Sequence, residues 1–203
     1  MKIQLAEKSH MTQVFDADGN VHAVTVLRAP GVTVTDIRSK ERDGYEAIQV
    51  AMDEQKESRA SKAELGHFGG KAYKNVREFR IGAGDLQKGA VIKADIFQSG
   101  DIVMVSGLTK AKGFQGGVKR HGFKGGWDQH GQKHSAREVG SVGATWPQRI
   151  LKGKRMGGRM GGDRVTVKNI KIYSVDTEKG EILVTGAVPG RRGTLIEIRT
   201  VKD

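Results

Sequence analysis

The residues best equipped for chemistry cluster in positions 110–164, where 13 Lys or Arg face only three acids, Asp128, Glu138 and Asp163. The cations are Lys110, Lys112, Lys119, Arg120, Lys124, Lys133, Arg137, Arg149, Lys152, Lys154, Arg155, Arg159 and Arg164. Planar side chains are interleaved with them: His121, Phe123, Trp127, His130, His134 and Trp146. Bases stack on rings while cations hold phosphates, so this mixture suits RNA. Fourteen of the chain's 29 glycines fall in the same 55 residues. Glycine lets a backbone approach a sugar-phosphate surface closely and leaves N–H groups free to bind phosphate. Near the end of the stretch, Arg155, Arg159 and Arg164 can fork onto phosphates while Met156 and Met160 fill irregular apolar gaps. The candidate RNA contacts are therefore the 13 cations together with His121, Trp127, His134 and Trp146.

Other chemistries fit these residues poorly. A basic run is commonly a solvated face or a disordered tail, but this one is internal and bounded on both sides by strand-like sequence. His130 and His134 stand four apart, and with His121 they suggest a metal site. Gly131 lies between them, however, and no cysteine and few acids are present to complete the shell, so they read as RNA contacts or spacers. A phosphate-binding loop of the NTPase type needs a lysine followed by Ser or Thr after its glycines, and neither residues 113–120 nor 152–155 supply it. Gly82-Ala83-Gly84 has no strand-turn-helix frame around it. No nucleophile elbow, no His-Glu-x-x-His and no paired carboxylates occur. The expectation is a non-enzymatic protein without cofactor, metal or small-molecule substrate.

Composition points the same way. The 203 residues carry a net charge of +12 and a pI near 10.0; residues 110–164 hold +10 of it, leaving +2 for the other 148. Such an imbalance calls for an anionic partner. The stretch has too much glycine and too few bulky apolars for an amphipathic membrane helix. No apolar run approaches the roughly 20 residues of a membrane span. The first 15 residues contain no secretory apolar region, so the protein is expected to stay where it is made, in the cytoplasm or an organellar matrix. With no cysteine, disulfides, thiolate metal sites and cysteine nucleophiles are excluded.

The flanking sequence must position this stretch. Short β-branched runs separated by turn residues predict strands at 12–15, 21–28, 32–37 and 45–52, with Asp18-Gly19 as a hairpin signal. Residues 53–65 are rich in helix formers and end at Gly66, which predicts a short surface helix. An extended segment follows at 76–81, then a hairpin of 91–97 with 101–108 across Ser99-Gly100. Beyond the basic stretch, Val165-Thr166-Val167 and Ile170-Lys171-Ile172 alternate with a change of parity, which predicts a bulge near Lys168-Asn169. Strands at 181–188 and 194–201 complete the chain. The predicted class is mainly β, a β-barrel-containing body formed by 1–109 and 165–203, with a short helical segment and a long, basic, glycine-rich extension, 110–164, inserted into it.

Several of these segments resemble one family. Residues 110–120, KAKGFQGGVKR, look like the GKGFxGxxKR run of the large-ribosomal-subunit protein L-three family. Gly140-Ser141-Val142-Gly143 is similar to its GSIG segment, residues 152–161 to its KGxxMAGxMG, and Arg164-Val165-Thr166-Val167 to its RVTV. Residues 11–15, 43–50, 66–68 and 186–190 also fit, in family order over nearly the whole chain. The length and motif set look bacterial or organellar.

The resemblance implies a translation-protein-type barrel and a structural protein that binds large-subunit rRNA near its 3′ end and joins the subunit early in assembly. It also implies ribosomal-protein neighbours and an extension reaching toward the peptidyl transferase centre. Two positions depart from the family. Ser9-His10-Met11-Thr12 stands where GMT is usual. Trp146 aligns with a tip glutamine that is methylated in some members, which puts that modification in doubt. From its residues Trp146 can either face RNA or pack against Ile150 and Leu151. The alternative functions are a free-standing RNA chaperone or assembly factor, and an enzyme acting on RNA.

Overall fold

Runs of β-branched residues broken by turn chemistry make strands the main regular element. The computed structural model describes residues 1–82, 84 and 86–201. In chain order its strands are β1 (Ile3–Phe15), β2 (Val21–Arg28), β3 (Val32–Arg38), β4 (Ala47–Glu54), β5 (Tyr73–Phe79) and β6 (Val91–Ile92). They continue with β7 (Ile102–Leu108), β8 (Phe114–Gln115), β9 (Gly158–Arg159), β10 (Arg164–Asp176), β11 (Glu181–Thr185) and β12 (Leu195–Thr200). Among the described residues three short α-helices intervene, α1 (Lys40–Asp43), α2 (Lys62–His67) and α3 (Gly117–His121). The chain divides into two units, Met1–Leu108 with Arg164–Asp203, and Thr109–Asp163. No helix among the described residues is long and apolar enough to cross a membrane.

The first unit holds a closed antiparallel barrel in the order β1-β12-β7-β10-β11-β2. Closure depends on the two chain ends, with Ile3 opposite Arg199 and Glu7 opposite Leu195. Period-two alternation sends Ile182 and Val184 of β11 inward, where they meet Leu27, Val103, Val105, Ile172, Ile196 and Ile198, all fully buried. Each such side chain contributes about 1.5–3 kcal/mol by leaving water. A four-stranded sheet, β5-β4-β3-β6, builds a second core. There Ile3 and Leu5 of β1 join Val34, Ile48, Val50, Met52 and Phe79. Strand β1 therefore serves both cores, odd positions on one and Ala6 on the other.

The mainly β class and the barrel agree with the sequence-based expectation. Element edges differ for identifiable reasons. Strand β1 starts at Ile3 rather than at 12, because its first half is fixed by pairing with β12. The helix expected over 53–65 is replaced by the end of β4, a 3-10 turn at Glu57–Arg59 and α2. Glu54 pairs with Tyr73 across the sheet, and a capping box between Ser61 and Glu64 starts the helix only at Lys62. The hairpin of 91–97 with 101–108 does not form. Val91 and Ile92 pair with β3, Ala94–Ile96 is a 3-10 turn, and β7 pairs with β10 and β12. The segments 165–167 and 170–172 are one strand, β10, whose register shifts between Val167 and Ile170. Asn169 takes φ 58 there, the left-handed geometry of a bulge. Of Gly82-Ala83-Gly84, the alanine lies outside the described residues.

Candidate nucleic-acid interface

The second unit, Thr109–Asp163, begins as a narrow two-stranded ladder. The Thr109 N–H donates to the Asp163 carbonyl at 2.9 Å, and the Gly162 N–H returns to the Thr109 carbonyl at 3.3 Å. Further along, Lys112 N–H donates to Met160 O and Met160 N–H to Gly113 O, both at 2.9 Å. The ladder ends in β8 and β9, with Phe114 opposite Arg159 and Gln115 opposite Gly158. Gly161 makes this approach possible. Its φ is +75, and a Cβ there would lie 2.1 Å from the Lys110 carbonyl oxygen. Only a residue without a side chain fits.

Next comes α3, ended by Gly122 in the left-handed conformation at φ 71. The Phe123 ring folds back onto Gly117, where a Cβ would meet its Cδ2 at 2.6 Å. Arg120 Nη1 donates to the Met156 carbonyl at 2.9 Å, and His121 Nε2 donates to the same oxygen at 3.0 Å. Arg155 lies over the Phe123 ring, with Cζ 5.6 Å from its centroid. Two basic side chains are thus joined to one carbonyl and a third lies on a ring, which fixes residues 120–123 against 155–158.

Beyond this knot the segment is held by turns. Gly126 N–H donates to Ala136 O at 3.1 Å, Lys124 Nζ lies 5.9 Å from the Trp127 ring centroid, and Arg149 N–H donates to Pro147 O at 2.6 Å. The Trp146–Pro147 bond is cis. Trp127 is 74% exposed and Trp146 is 77% exposed. Ile150 and Leu151 are themselves exposed, so the indole of Trp146 is not packed against a core.

Of the candidate contacts, Lys110, Lys112, Lys119, Arg120, Lys124, Trp127, Lys133, His134, Arg137, Trp146, Arg149, Lys152, Lys154, Arg155 and Arg159 are exposed within this unit, and His121 is half-buried. Among the described residues, none of the unit's 12 Lys and Arg forms an ion pair with a carboxylate of the chain. The other unit behaves differently. There Arg28 pairs with Glu7 at 2.5 Å and with Asp53 at 3.0 Å, and Arg38 with Asp43 at 2.9 Å. Arg164 belongs with that second pattern: it is the first residue of β10 and ion-pairs with Glu197. No group of three or more His, Cys, Asp or Glu among the described residues is placed to hold a metal.

The barrel-bearing unit also carries a basic cleft that sequence reasoning missed. Arg77, Arg80, Arg164 and Arg199 line a cavity of about 510 Å³ together with Glu78 and Glu197. Glu197 is shared by Arg77 (3.4 Å) and Arg164, and Arg80 lies 5.4 Å over the Tyr45 ring. A hydrogen bond from Tyr45, with Arg38 and Gln49 behind it, holds the Glu78 carboxyl below the usual range. Arg77 and Arg80 flank one end of β5 while Arg164 and Arg199 come from distant strands, and Glu78 lies between the first two, so no local charge run announces the cleft.

With this geometry in view, comparison with known proteins gives a single answer. The family model of Ribosomal protein L3 matches residues 47–185. The large ribosomal subunit protein uL3 of Finegoldia magna is 45% identical over 204 residues, covering 98% of this chain and 97% of the relative. That of Corynebacterium jeikeium is 45% identical over 201 residues, covering 97% and 92%. That of Brevibacillus brevis is 42% identical over 200 residues, covering 97% and 95%. Identity at this level over essentially the full length of both chains is decisive: the chain belongs to the ribosomal protein L3 family.

Proposed function

We propose that this protein is a non-enzymatic structural constituent of the large ribosomal subunit, and that Thr109–Asp163 is its principal rRNA-binding element. One observation carries the reading: 12 exposed Lys and Arg, concentrated in one unit, have no carboxylate partner among the described residues. Uncompensated cations at this density repel one another, and phosphate supplies the missing counter-charge. The exposed rings of Trp127 and Trp146 add surfaces on which unpaired bases stack. In this reading the protein joins the subunit early, binds near the 3′ end of the large rRNA, and directs the Trp146 region toward the peptidyl transferase centre among neighbouring ribosomal proteins. Arg164 contributes through the barrel rather than through the basic unit.

Salt dependence tests it. If about six of these cations meet phosphates, affinity for a large-subunit rRNA fragment falls by on the order of a thousandfold between 50 and 200 mM salt. A fall below about tenfold means one or two phosphate contacts and rejects the proposal. Cross-linking from Trp146 in assembled subunits locates the tip; cross-links confined to the rRNA 3′ region would remove its placement near the catalytic centre.

A further inference from the structure

Within Thr109–Asp163 a cavity of about 530 Å³ sets one acid, Glu138, in an otherwise basic wall. We propose that it binds a single unstacked guanine nucleotide of the RNA, with Glu138 reading the base. This rests on the RNA-binding reading and names the ligand of one site inside it. The volume lies in the roughly 300–1,000 Å³ range of small-molecule sites.

Lys124, Lys154 and Arg155 line the cavity, and Glu138 is the one acid among its lining residues. Despite those three cations, Glu138 forms no ion pair among the described residues; its backbone N–H donates to Ser135 O at 3.2 Å. A free carboxylate in a cationic wall weakens phosphate binding, so its contribution must lie elsewhere. It is an acceptor only, and it suits two donors side by side. Guanine presents such a pair, N1–H and the N2 amino group, on its Watson–Crick edge. Adenine and cytosine set one amino donor beside a ring-nitrogen acceptor, and uracil flanks its single N–H with two carbonyls. Each of these three places an acceptor against the carboxylate.

The remaining walls fit the rest of a nucleotide. The exposed Arg155 guanidinium, held over the Phe123 ring with Cζ 5.6 Å from its centroid, offers a plane on which a base can lie. Lys124 and Lys154 are available for the flanking phosphates. The wall is also formed in advance. Gly125 has φ +74 and approaches so closely that a Cβ would sit 2.2 Å from the Ala136 carbonyl oxygen. A cavity built before its ligand arrives spares the ordering cost of binding.

The test uses the full chain and five RNA hairpins identical except for one bulged nucleotide, G, A, C, U or none, measured by fluorescence anisotropy. The G-bulged hairpin is expected to bind about tenfold tighter than the others, the size of one good base-edge contact. Glu138→Gln, whose amide sets one donor beside one acceptor, is expected to abolish the guanine preference, with an unchanged melting temperature because Glu138 is exposed. Lys154→Ala is expected to weaken all five alike. Equal affinity of the wild-type chain for all five hairpins, or a guanine preference that survives Glu138→Gln, overturns the proposal. Equal affinities that still fall steeply with salt overturn the guanine site alone, whereas weak and salt-insensitive binding overturns the RNA reading as well.

Discussion

Replacing Gly161 with alanine tests whether the basic unit is ordered by its own backbone. The new Cβ would stand 2.1 Å from the Lys110 carbonyl oxygen and 3.2 Å from Ala111 Cα, with φ at +75. The left-handed backbone alone costs an alanine about 1–2 kcal/mol. The contact with Lys110 involves backbone atoms, so it is relieved only by opening the ladder. The hydrogen bonds from Lys112 N–H to Met160 O and from Met160 N–H to Gly113 O are then lost. At about 0.5–1.5 kcal/mol each, these bring the local cost to about 2–5 kcal/mol. Gly153→Ala is the matched control: its φ is +80, yet nothing lies within 4 Å of the added Cβ, so only the backbone term of about 1–2 kcal/mol applies. Hydrogen exchange at the Lys112 and Met160 amides reads the difference. Gly161→Ala is expected to cut protection there by about thirtyfold or more, while amides of Val105 and Ile198 in the barrel core keep theirs. The rRNA affinity should fall in parallel. If Gly161→Ala loses no more protection at Lys112 and Met160 than Gly153→Ala does, the ladder does not order the unit and the reasoning is wrong.

Trp146→Ala is expected to leave the melting temperature of the free protein essentially unchanged, because the indole is 77% exposed. In assembled ribosomes it removes a stacking contact of about 1–3 kcal/mol, seen as altered chemical protection of rRNA bases near the tip; a large loss of stability in the free protein, with protection unchanged, would show that the indole packs within the chain. At the β1–β2 turn, hydrogen bonds from the His22 side chain and the Asn20 and Asp18 backbone hold the Asp16 carboxyl at about 2. A carboxyl depressed in the folded state stabilises it above the unfolded value near 3.9 and loses that effect as pH falls toward about 2. The stability gap between wild type and Asp16→Asn should therefore narrow from pH 5 to pH 2; a constant gap would mean that the turn does not depend on the charge.

What the sequence disclosed depended on how local the cause was. The bulge in β10 was readable because a change of parity between Val167 and Ile170 is written in six neighbouring residues. The first half of β1 was not, since Glu7 finds its partner at Leu195 and nothing near Glu7 says so. Helix formers around Glu54 to Glu57 suggested a helix, but pairing of Glu54 with Tyr73 across the sheet outweighed propensity worth only tenths of a kcal/mol per residue. The candidate site follows the same rule. Its charge and rings were visible at once, whereas the joint hold of Arg120 and His121 on Met156 O spans 35 residues and left no local trace. The same distance rule separates the two kinds of cation here. Arg28 meets Glu7 and Asp53, and Arg164 meets Glu197, because the closed barrel and the four-stranded sheet bring distant carboxylates back to them. Residues 109–163 contain three acids and pair none of them with a cation, among the described residues. With a Debye length of about 8 Å at physiological salt, neighbouring cations there still repel, and the ladder at Gly161 opposes that repulsion with only a few exposed hydrogen bonds. Anion binding removes the repulsion directly, so RNA that neutralises Lys124, Lys152 and Lys154 should also raise the protection of the Lys112 and Met160 amides, coupling binding to the order of the ladder.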